Sequence, residues 1–169
     1  MNGFVNFKKI TILLLLLLTV LTVKSYAYAN INIALRSLNG QYLRTADFKN
    51  QLVFMTVFQS DCEYCQLEVA DLNSLYNTPL IRRWFVFMGI DPYDSIDTIK
   101  RFQSRFGVEY PLYQANLNDI YSQLHVDFTP ISFIVLNGRI LGTFYGKHSY
   151  LSMKHALEQI IEEVKLYAN

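Results

Sequence analysis

Both cysteines of this chain of 169 residues lie in one short segment, Ser60-Asp61-Cys62-Glu63-Tyr64-Cys65. A pair with this spacing can form a dithiol–disulfide redox couple, a small structural disulfide or part of a metal site. A disulfide that closes so small a loop removes little chain entropy, so a purely stabilising role is disfavoured. A zinc or copper site needs further ligands, and His125, His148 and His155 do not form a zinc signature with the pair. Redox chemistry is therefore the favoured interpretation, and no metal site is expected.

The two cysteines lie where a buried strand gives way to a helix. Gln51 to Phe58, "QLVFMTVF", is a continuous apolar run typical of a central strand. After it, side chains at three- and four-residue intervals predict the buried face of a helix, namely Cys65, Val69, Leu72 and Tyr76. The N-terminus of a helix stabilises a thiolate through its free N–H groups and its dipole. We therefore expect Cys62 to be the exposed, attacking thiol and Cys65, one turn into the helix, to be the buried, resolving thiol.

The residues around the pair have a structural and an electrostatic interpretation. Ser60 and Glu63 fit the S-x-x-E capping-box pattern, which would make Ser60 the N-cap of the helix. Asp61 and Glu63 also place negative charge beside Cys62, and this charge opposes the stabilisation of a thiolate by the helix dipole. A less stable thiolate makes the pair a weaker oxidant and a better reductant, so these residues favour a reductase.

The rest of the chain alternates strand-like and helical patterns, which predicts a single α/β domain. The expected elements are an opening hairpin at Asn39-Gly40, a second buried strand in "RRWFVFMGI" that contains Trp84 and ends before Asp91-Pro92, a helix from Ile96 to Phe106, a short helix from Leu117 to Leu124, a hairpin in "ISFIVLNGRILGTFY", and an amphipathic closing helix. Pro111 is expected to shape the start of a strand, and Trp84 is expected to pack in the core.

Residues 1–29 have the pattern of a secretory signal. Lys8 and Lys9 precede an apolar run from Ile10 to Val23, and Ala27-Tyr28-Ala29 follows. A retained N-terminal membrane anchor is the alternative, although the run of about fourteen residues is shorter than the roughly 20 that span a bilayer. Cleavage before Asn30 would leave residues 30–169 as one domain.

The predicted export fits the redox interpretation, because disulfides persist outside the cytosol. The expected location is the periplasm, if the source is a Gram-negative bacterium, or a membrane-anchored position facing outside the cytoplasm. The net charge is +1 and the basic residues are dispersed, so no nucleic-acid partner is expected.

Three segments of the chain occur together in the order of a known family. They are the strand that leads into CxxC with Glu68 after it, "FGVEYPLY", and "HVDFTPISFIVLNGRILGTFYG". This pattern, from about Leu35 to the C-terminus, resembles the thioredoxin superfamily and, within it, the exported TlpA/ResA-like thiol:disulfide oxidoreductases. The resemblance implies a thioredoxin-like fold, in which a central mixed β-sheet is flanked by helices. It also implies that Pro130 is a cis-proline facing the CxxC motif and that Thr129 tunes the redox potential and contacts substrate.

The sequence departs from this family at three positions. Asp61 stands where relatives usually carry Trp, and Tyr64 stands where Pro is common. Thr56 stands where relatives often carry a buried acid or Asn that helps proton transfer, so the usual proton path is in doubt. Tyr64 and Phe128 could form an apolar lip for a partner, but core packing is the default expectation for each.

Together, these observations predict an exported thiol:disulfide oxidoreductase, more specifically a reductase of protein disulfides. The expected site consists of Cys62, Cys65, Thr129, Pro130, Asp61, Glu63 and Tyr64. No dissociable cofactor is expected, because a glycine-rich nucleotide-binding turn is missing. Electrons are expected to come from an upstream redox protein, and the protein is expected to be a monomer that meets a membrane only if its N-terminal segment is retained.

Four other functions are alternatives to a reductase. They are a disulfide oxidase or isomerase, a thioredoxin-like binding or assembly module, a copper chaperone, and a peroxide reductase. The last is disfavoured, because no Pro and Thr pattern precedes Cys62.

Overall fold

The computed structural model describes residues 30–168, so the predicted signal at residues 1–29 lies outside the described residues. Seven strands form one mixed sheet in the order β2-β1-β5-β4-β3-β6-β7. The strands are β1 (Ala34–Ser37), β2 (Tyr42–Arg44), β3 (Leu52–Val57), β4 (Phe85–Asp91), β5 (Leu112–Ala115), β6 (Ile131–Leu136) and β7 (Arg139–Tyr145).

Helices lie on both faces of this sheet. They are α1 (Glu63–Tyr76), α2 (Pro79–Trp84), α3 (Ile96–Phe106), α4 (Leu117–Leu124) and α5 (Tyr150–Ala168), with a short 3-10 turn at Thr45–Asp47. A central mixed sheet flanked by helices confirms the predicted fold class. No helix within residues 30–168 combines the length and the apolar character that crossing a membrane requires.

Strand β3 is the centre of the sheet and leads directly into the CxxC segment. All six of its residues are buried, as expected for a strand covered on both faces. It pairs in parallel with β4 and antiparallel with β6. In this register Val57 lies between Ile90 and Ile131, so the end of β3, the end of β4 and the start of β6 meet at one edge of the sheet.

Alternate residues of β3 belong to two cores on opposite faces of the sheet. Phe54 packs with Phe87 at a ring-centroid distance of 4.9 Å on the face covered by α1, α2, α3 and α5. Val53, Met55 and Val57 pack on the other face, against α4. Successive residues of β3 therefore point to opposite faces of the sheet and pack against different helices.

The segment "RRWFVFMGI" is not a single strand, contrary to the prediction. Its first three residues end the short helix α2, and β4 begins at Phe85. Pro79 at the first position of α2 favours the start of a helix, and Arg82 and Arg83 lie in its last turn, where basic residues suit the helix dipole. Trp84 is thus the final residue of α2, and it is half-buried against the core rather than inside a strand.

Replacement of Phe54 by Ala tests whether the α1 face of β3 is the core of the fold. Phe54 is fully buried and stacked on Phe87, so the truncation leaves a cavity and should lower the free energy of unfolding by about 3–5 kcal/mol. Leu151→Ala, on an exposed position of α5, is the control and should change it by less than about 0.5 kcal/mol. Urea unfolding of the oxidised protein measures both, and equal effects would contradict this assignment of the core.

Candidate redox site

Cys62 and Cys65 form a disulfide at the start of α1. Their Cα atoms are 5.2 Å apart. Cys62 is the N-cap of the helix, and the backbone N–H of Cys65 points at the Cys62 Sγ at 3.2 Å. Cys62 is half-buried, whereas Cys65 is only 3% exposed and packs with the core. The two sulfurs therefore differ in access, and Cys62 is the one that a partner can reach.

The Thr129–Pro130 segment lies directly against Cys62. The carbonyl oxygen of Thr129 is 3.5 Å from the Cys62 Sγ, and the peptide bond between Thr129 and Pro130 is cis. Pro130 is buried, and its carbonyl accepts a hydrogen bond of 2.9 Å from the N–H of Gly146. The start of β6 is thereby fixed between the disulfide and the end of β7.

Asp61, Glu63 and Tyr64 are all exposed around the disulfide. The side chain of Tyr64 is 63% exposed, so the default expectation that it packs in the core is wrong. The same holds for Phe128, which is 48% exposed and lies 6.4 Å from the ring of exposed Tyr145. Exposed aromatic side chains thus lie within the CxxC motif and directly before Thr129.

Ser60 is not the N-cap of α1, contrary to the capping-box prediction. The helix begins at Glu63, and the cap position belongs to Cys62. The Ser60 hydroxyl donates instead to the Asp91 Oδ2 at 3.1 Å. The pattern failed because a buried acid on a neighbouring strand competes for the serine, a contact that sequence spacing does not reveal.

Glu68 is a buried acid that the sequence identified only as part of the family pattern, without a role. It lies one turn after Cys65 on the apolar face of α1 and is 1% exposed. Its Oε1 accepts a hydrogen bond of 2.7 Å from the N–H of His148, and its Oε2 has no hydrogen-bond partner among the described residues. Burial raises the pKa of Glu68 to about 7. The sequence signal for its burial was its spacing from Cys65. Glu68 follows Cys65 by three residues, and residues three apart on a helix share a face.

Asp91 is a second buried acid, and sequence analysis missed it. It ends β4, is fully buried, and accepts hydrogen bonds from the N–H groups of Tyr93 and Asp94 at 2.8 and 3.0 Å. Burial is the largest cause that raises the pKa of Asp91 to about 7, and the Asp94 side chain adds to it. The available signal was an Asp between a buried strand and a proline.

Thr56, at the position where relatives often carry an acid or Asn, is buried on the α1 face of β3. Its Oγ1 has no hydrogen-bond partner among the described residues. A hydroxyl group does not take up a proton near neutral pH. Within the described residues, the buried acids of the site are Glu68 and Asp91.

The histidines do not gather at the disulfide. His125 ends α4, His155 is exposed on α5, and His148 packs against Phe144. Among residues 30–168, no group of three or more His, Cys, Asp or Glu side chains is arranged to hold a metal ion.

The chain matches one protein family and is similar to known thiol-disulfide oxidoreductases. The family model described as the AhpC/TSA family matches residues 28–144. The thiol-disulfide oxidoreductase ResA of Geobacillus thermodenitrificans is 24% identical over 131 residues, which cover 76% of this chain and 74% of that protein. ResA of Bacillus anthracis is 22% identical over 131 residues, covering 76% and 75%.

Two solved structures share the fold. StoA from Bacillus subtilis superposes with a TM-score of 0.65 at 15% identity, over 76% of this chain and 97% of that one. A thiol:disulfide interchange protein of the thioredoxin family from Chlorobium tepidum superposes with a TM-score of 0.63 at 22% identity, over 76% and 92%. The predicted thioredoxin-like fold is confirmed.

The raised pKa of Glu68 predicts a pH-dependent stability. Between about pH 4.5 and 7 the folded protein holds a proton on Glu68 that the unfolded chain has released, so stability falls as pH rises through this range. Glu68→Gln removes this contribution and should reduce the fall, on the order of 3 kcal/mol at most, in urea unfolding of the oxidised protein. Glu163→Gln, the same change at an exposed site on α5, is the control. An unchanged pH dependence in Glu68→Gln would refute the assignment.

Proposed function

This chain belongs to the AhpC/TSA family and is a thiol-disulfide oxidoreductase of the thioredoxin superfamily, and we propose that it is exported and reduces the disulfides of protein substrates. The observation that carries the proposal is the unequal setting of the two sulfurs. Cys62 is accessible at the N-cap of α1 and faces Thr129, whereas Cys65 is buried beneath it.

The proposed reaction has two exchange steps. The Cys62 thiolate attacks one sulfur of a substrate disulfide, so that a Cys62–substrate disulfide forms and one substrate thiolate leaves. The Cys65 thiolate then attacks the Cys62 sulfur, which restores the Cys62–Cys65 disulfide and releases the second substrate thiolate. Two electrons pass to the substrate, and both released thiolates take up protons. An upstream redox protein must return two electrons to the pair before the next cycle, and no dissociable cofactor takes part.

The exposed aromatic side chains support protein substrates. Tyr64 lies within the CxxC motif, and Phe128 directly precedes Thr129 and packs near Tyr145. Exposed aromatic rings contribute large contact areas at little entropic cost, which suits the recognition of a polypeptide. In the proposed complex a substrate segment lies across Thr129 and Pro130, with its disulfide over Cys62.

The acids around the pair support reduction rather than oxidation. Asp61 and Glu63 lie beside Cys62, and Glu68 and Asp91 are buried close to the motif. Negative charge disfavours the thiolates of the reduced pair, which makes electron donation more favourable. The N–H of Cys65 acts in the opposite direction, because it stabilises charge on the Cys62 sulfur.

Trapping of the mixed disulfide tests the assignment of the two sulfurs. Cys65→Ala leaves the attacking thiol but removes the resolving one, so it should accumulate a disulfide with a model substrate protein such as oxidised insulin. Cys62→Ala is the matched control and should accumulate little, because Cys65 is buried. Non-reducing electrophoresis measures both, and the reverse result would assign the attack to Cys65.

The reduction potential tests the direction of the reaction. Equilibration in dithiothreitol or glutathione buffers, with thiol alkylation as the readout, should give a potential near that of thioredoxin, about −270 mV. A potential near about −120 mV, typical of a strong disulfide oxidant, would refute a reductase. Stoichiometric retention of copper by the reduced protein would favour a copper chaperone, and absence of exchange with any disulfide would favour a binding module.

The double variant Asp61→Asn/Glu63→Gln tests the contribution of the two exposed acids. Removal of both charges stabilises the reduced pair, so the potential should become less negative by roughly 10–20 mV at low salt. The change should shrink as ionic strength rises, because both side chains are exposed and their charges are screened. A shift toward more negative values would contradict the proposed electrostatic role.

A further inference from the structure

The loop before Cys62 is fixed to the end of β4 through Ser60. The Ser60 hydroxyl donates to the Asp91 Oδ2 at 3.1 Å, and the Ser60 N–H donates to the Asp94 Oδ2 at 3.0 Å. The Ser60 carbonyl accepts a hydrogen bond of 3.0 Å from the Gln66 side chain. Every polar group of Ser60 is therefore engaged, two residues before Cys62.

Asp91 is the buried end of this connection. Its Oδ1 receives the N–H groups of Tyr93 and Asp94, which shapes the turn after β4, and its Oδ2 receives Ser60. An Asn could supply an oxygen to the same turn at a lower cost of burial, since an ionised carboxylate loses far more on leaving water than an amide does. The presence of an acid at a fully buried position therefore calls for a reason beyond the shape of the turn.

The groups that face Asp91 are mainly acidic. Asp94 lies in the same turn, the Tyr93 hydroxyl and Asp127 share its surroundings, and Cys62 lies beyond Ser60. The cations of α3 line the open groove beside Ser60, Asp61 and Asp94, namely Lys100, Arg101 and Arg105. None of these three cations is among the charges that shift the pKa of Asp91. Burial, followed by the side chain of Asp94, raises the pKa of Asp91 to about 7.

We propose that Asp91 is a positioning residue of the redox pair: through Ser60 its carboxyl group holds the loop that carries Cys62, and the charge on this carboxyl group controls the reactivity of the Cys62 sulfur. The inference rests on the proposed function only in taking Cys62 as the attacking sulfur. It adds a control of the exchange rate by a group outside the CxxC motif.

The direction of this control follows from charge. An ionised Asp91 and a Cys62 thiolate repel each other, so each ionisation opposes the other. Below about pH 7 Asp91 is neutral and the Cys62 thiolate forms without this opposition. Above that pH the carboxylate disfavours the thiolate. The hydrogen bond from Ser60 links the buried carboxyl group to the loop two residues before Cys62, and charges that are partly shielded from water interact more strongly than exposed ones.

The pH dependence of Cys62 alkylation tests the proposal. The full chain is reduced and treated with iodoacetamide between pH 5 and 9, and mass spectrometry follows the modification of Cys62 separately from that of Cys65. Asp91→Asn should react at the wild-type rate at pH 5.5, where Asp91 is neutral in the wild type. At pH 7.5 it should react about threefold faster, equivalent to half a pH unit in the ionisation of the thiol. Asp119→Asn, at a partly exposed site on α4, is the matched control and should follow the wild type at every pH.

Ser60→Ala separates the connection through Ser60 from the charge itself. It keeps the carboxyl group of Asp91 but removes its contact with the loop, so the inflection near pH 7 in the Cys62 rate should fall to less than about half its wild-type size. An inflection of full size in Ser60→Ala would overturn the role of Ser60. A ratio of Asp91→Asn to wild type that is constant from pH 5 to 9 would overturn the proposal, because a purely structural defect changes the rate equally at all pH values.

A second measurement covers the case in which Asp91→Asn does not fold. Carbon-13 NMR of the wild type follows the Asp91 carboxyl group in the oxidised and reduced protein, and its midpoint should be higher in the reduced protein, where the Cys62 thiolate can form. Equal midpoints would overturn the proposal. If Cys65 is alkylated faster than Cys62 in every variant, the sulfur assignment of the proposed function fails, while the rate ratio at Cys62 still decides this inference.

Discussion

The disulfide depends on the pairing of β3 with the two strands beside it. Val57 is in register with Ile90 of β4 and with Ile131 of β6. A strand that is parallel to one neighbour and antiparallel to the other brings together the ends of β3 and β4 and the beginning of β6. The CxxC segment follows β3, Asp91 ends β4, and Thr129-Pro130 precedes β6. Because of sheet topology rather than local sequence, the reactive sulfur faces the carbonyl of Thr129 and the loop before it is bonded to a buried acid.

The buried acids oppose the stability that the two cores provide. Glu68 and Asp91 both bind protons more tightly in the folded protein than in the unfolded chain, so their ionisation lowers the stability of the fold as pH rises toward neutrality. Both lie close to the redox pair, and neither forms an ion pair with a cation among the described residues. Destabilising groups concentrate at functional sites. The presence of two buried carboxyl groups near the CxxC motif is therefore understandable if they act on the sulfurs.

Sequence patterns predicted the elements whose signals are local. The helix from Leu117 to Leu124 has the expected bounds, and the hairpin of β6 and β7 turns at Asn137-Gly138. The periodicity of α1 correctly placed Cys65 on the buried face. Sequence patterns failed where the local structure depends on residues outside the local pattern. Ser60 fits a helix cap but bonds Asp91. The segment "RRW" directly precedes an apolar run but belongs to α2, because Pro79 starts a helix before it.

The same limit explains why the sequence drew attention only to the acids adjacent to Cys62. Asp61 and Glu63 are adjacent to Cys62 in the chain, but both are exposed, and two charges 4 Å apart in water interact by only about 1 kcal/mol. At the effective dielectric constant typical of protein sites the same pair interacts by about 4 kcal/mol. Glu68 and Asp91 are in the second environment. Their charges are therefore screened less by water than those of Asp61 and Glu63. The proposed control of the redox pair therefore relies on an acid that the sheet buries, which residues flanking the cysteines in the chain do not reveal.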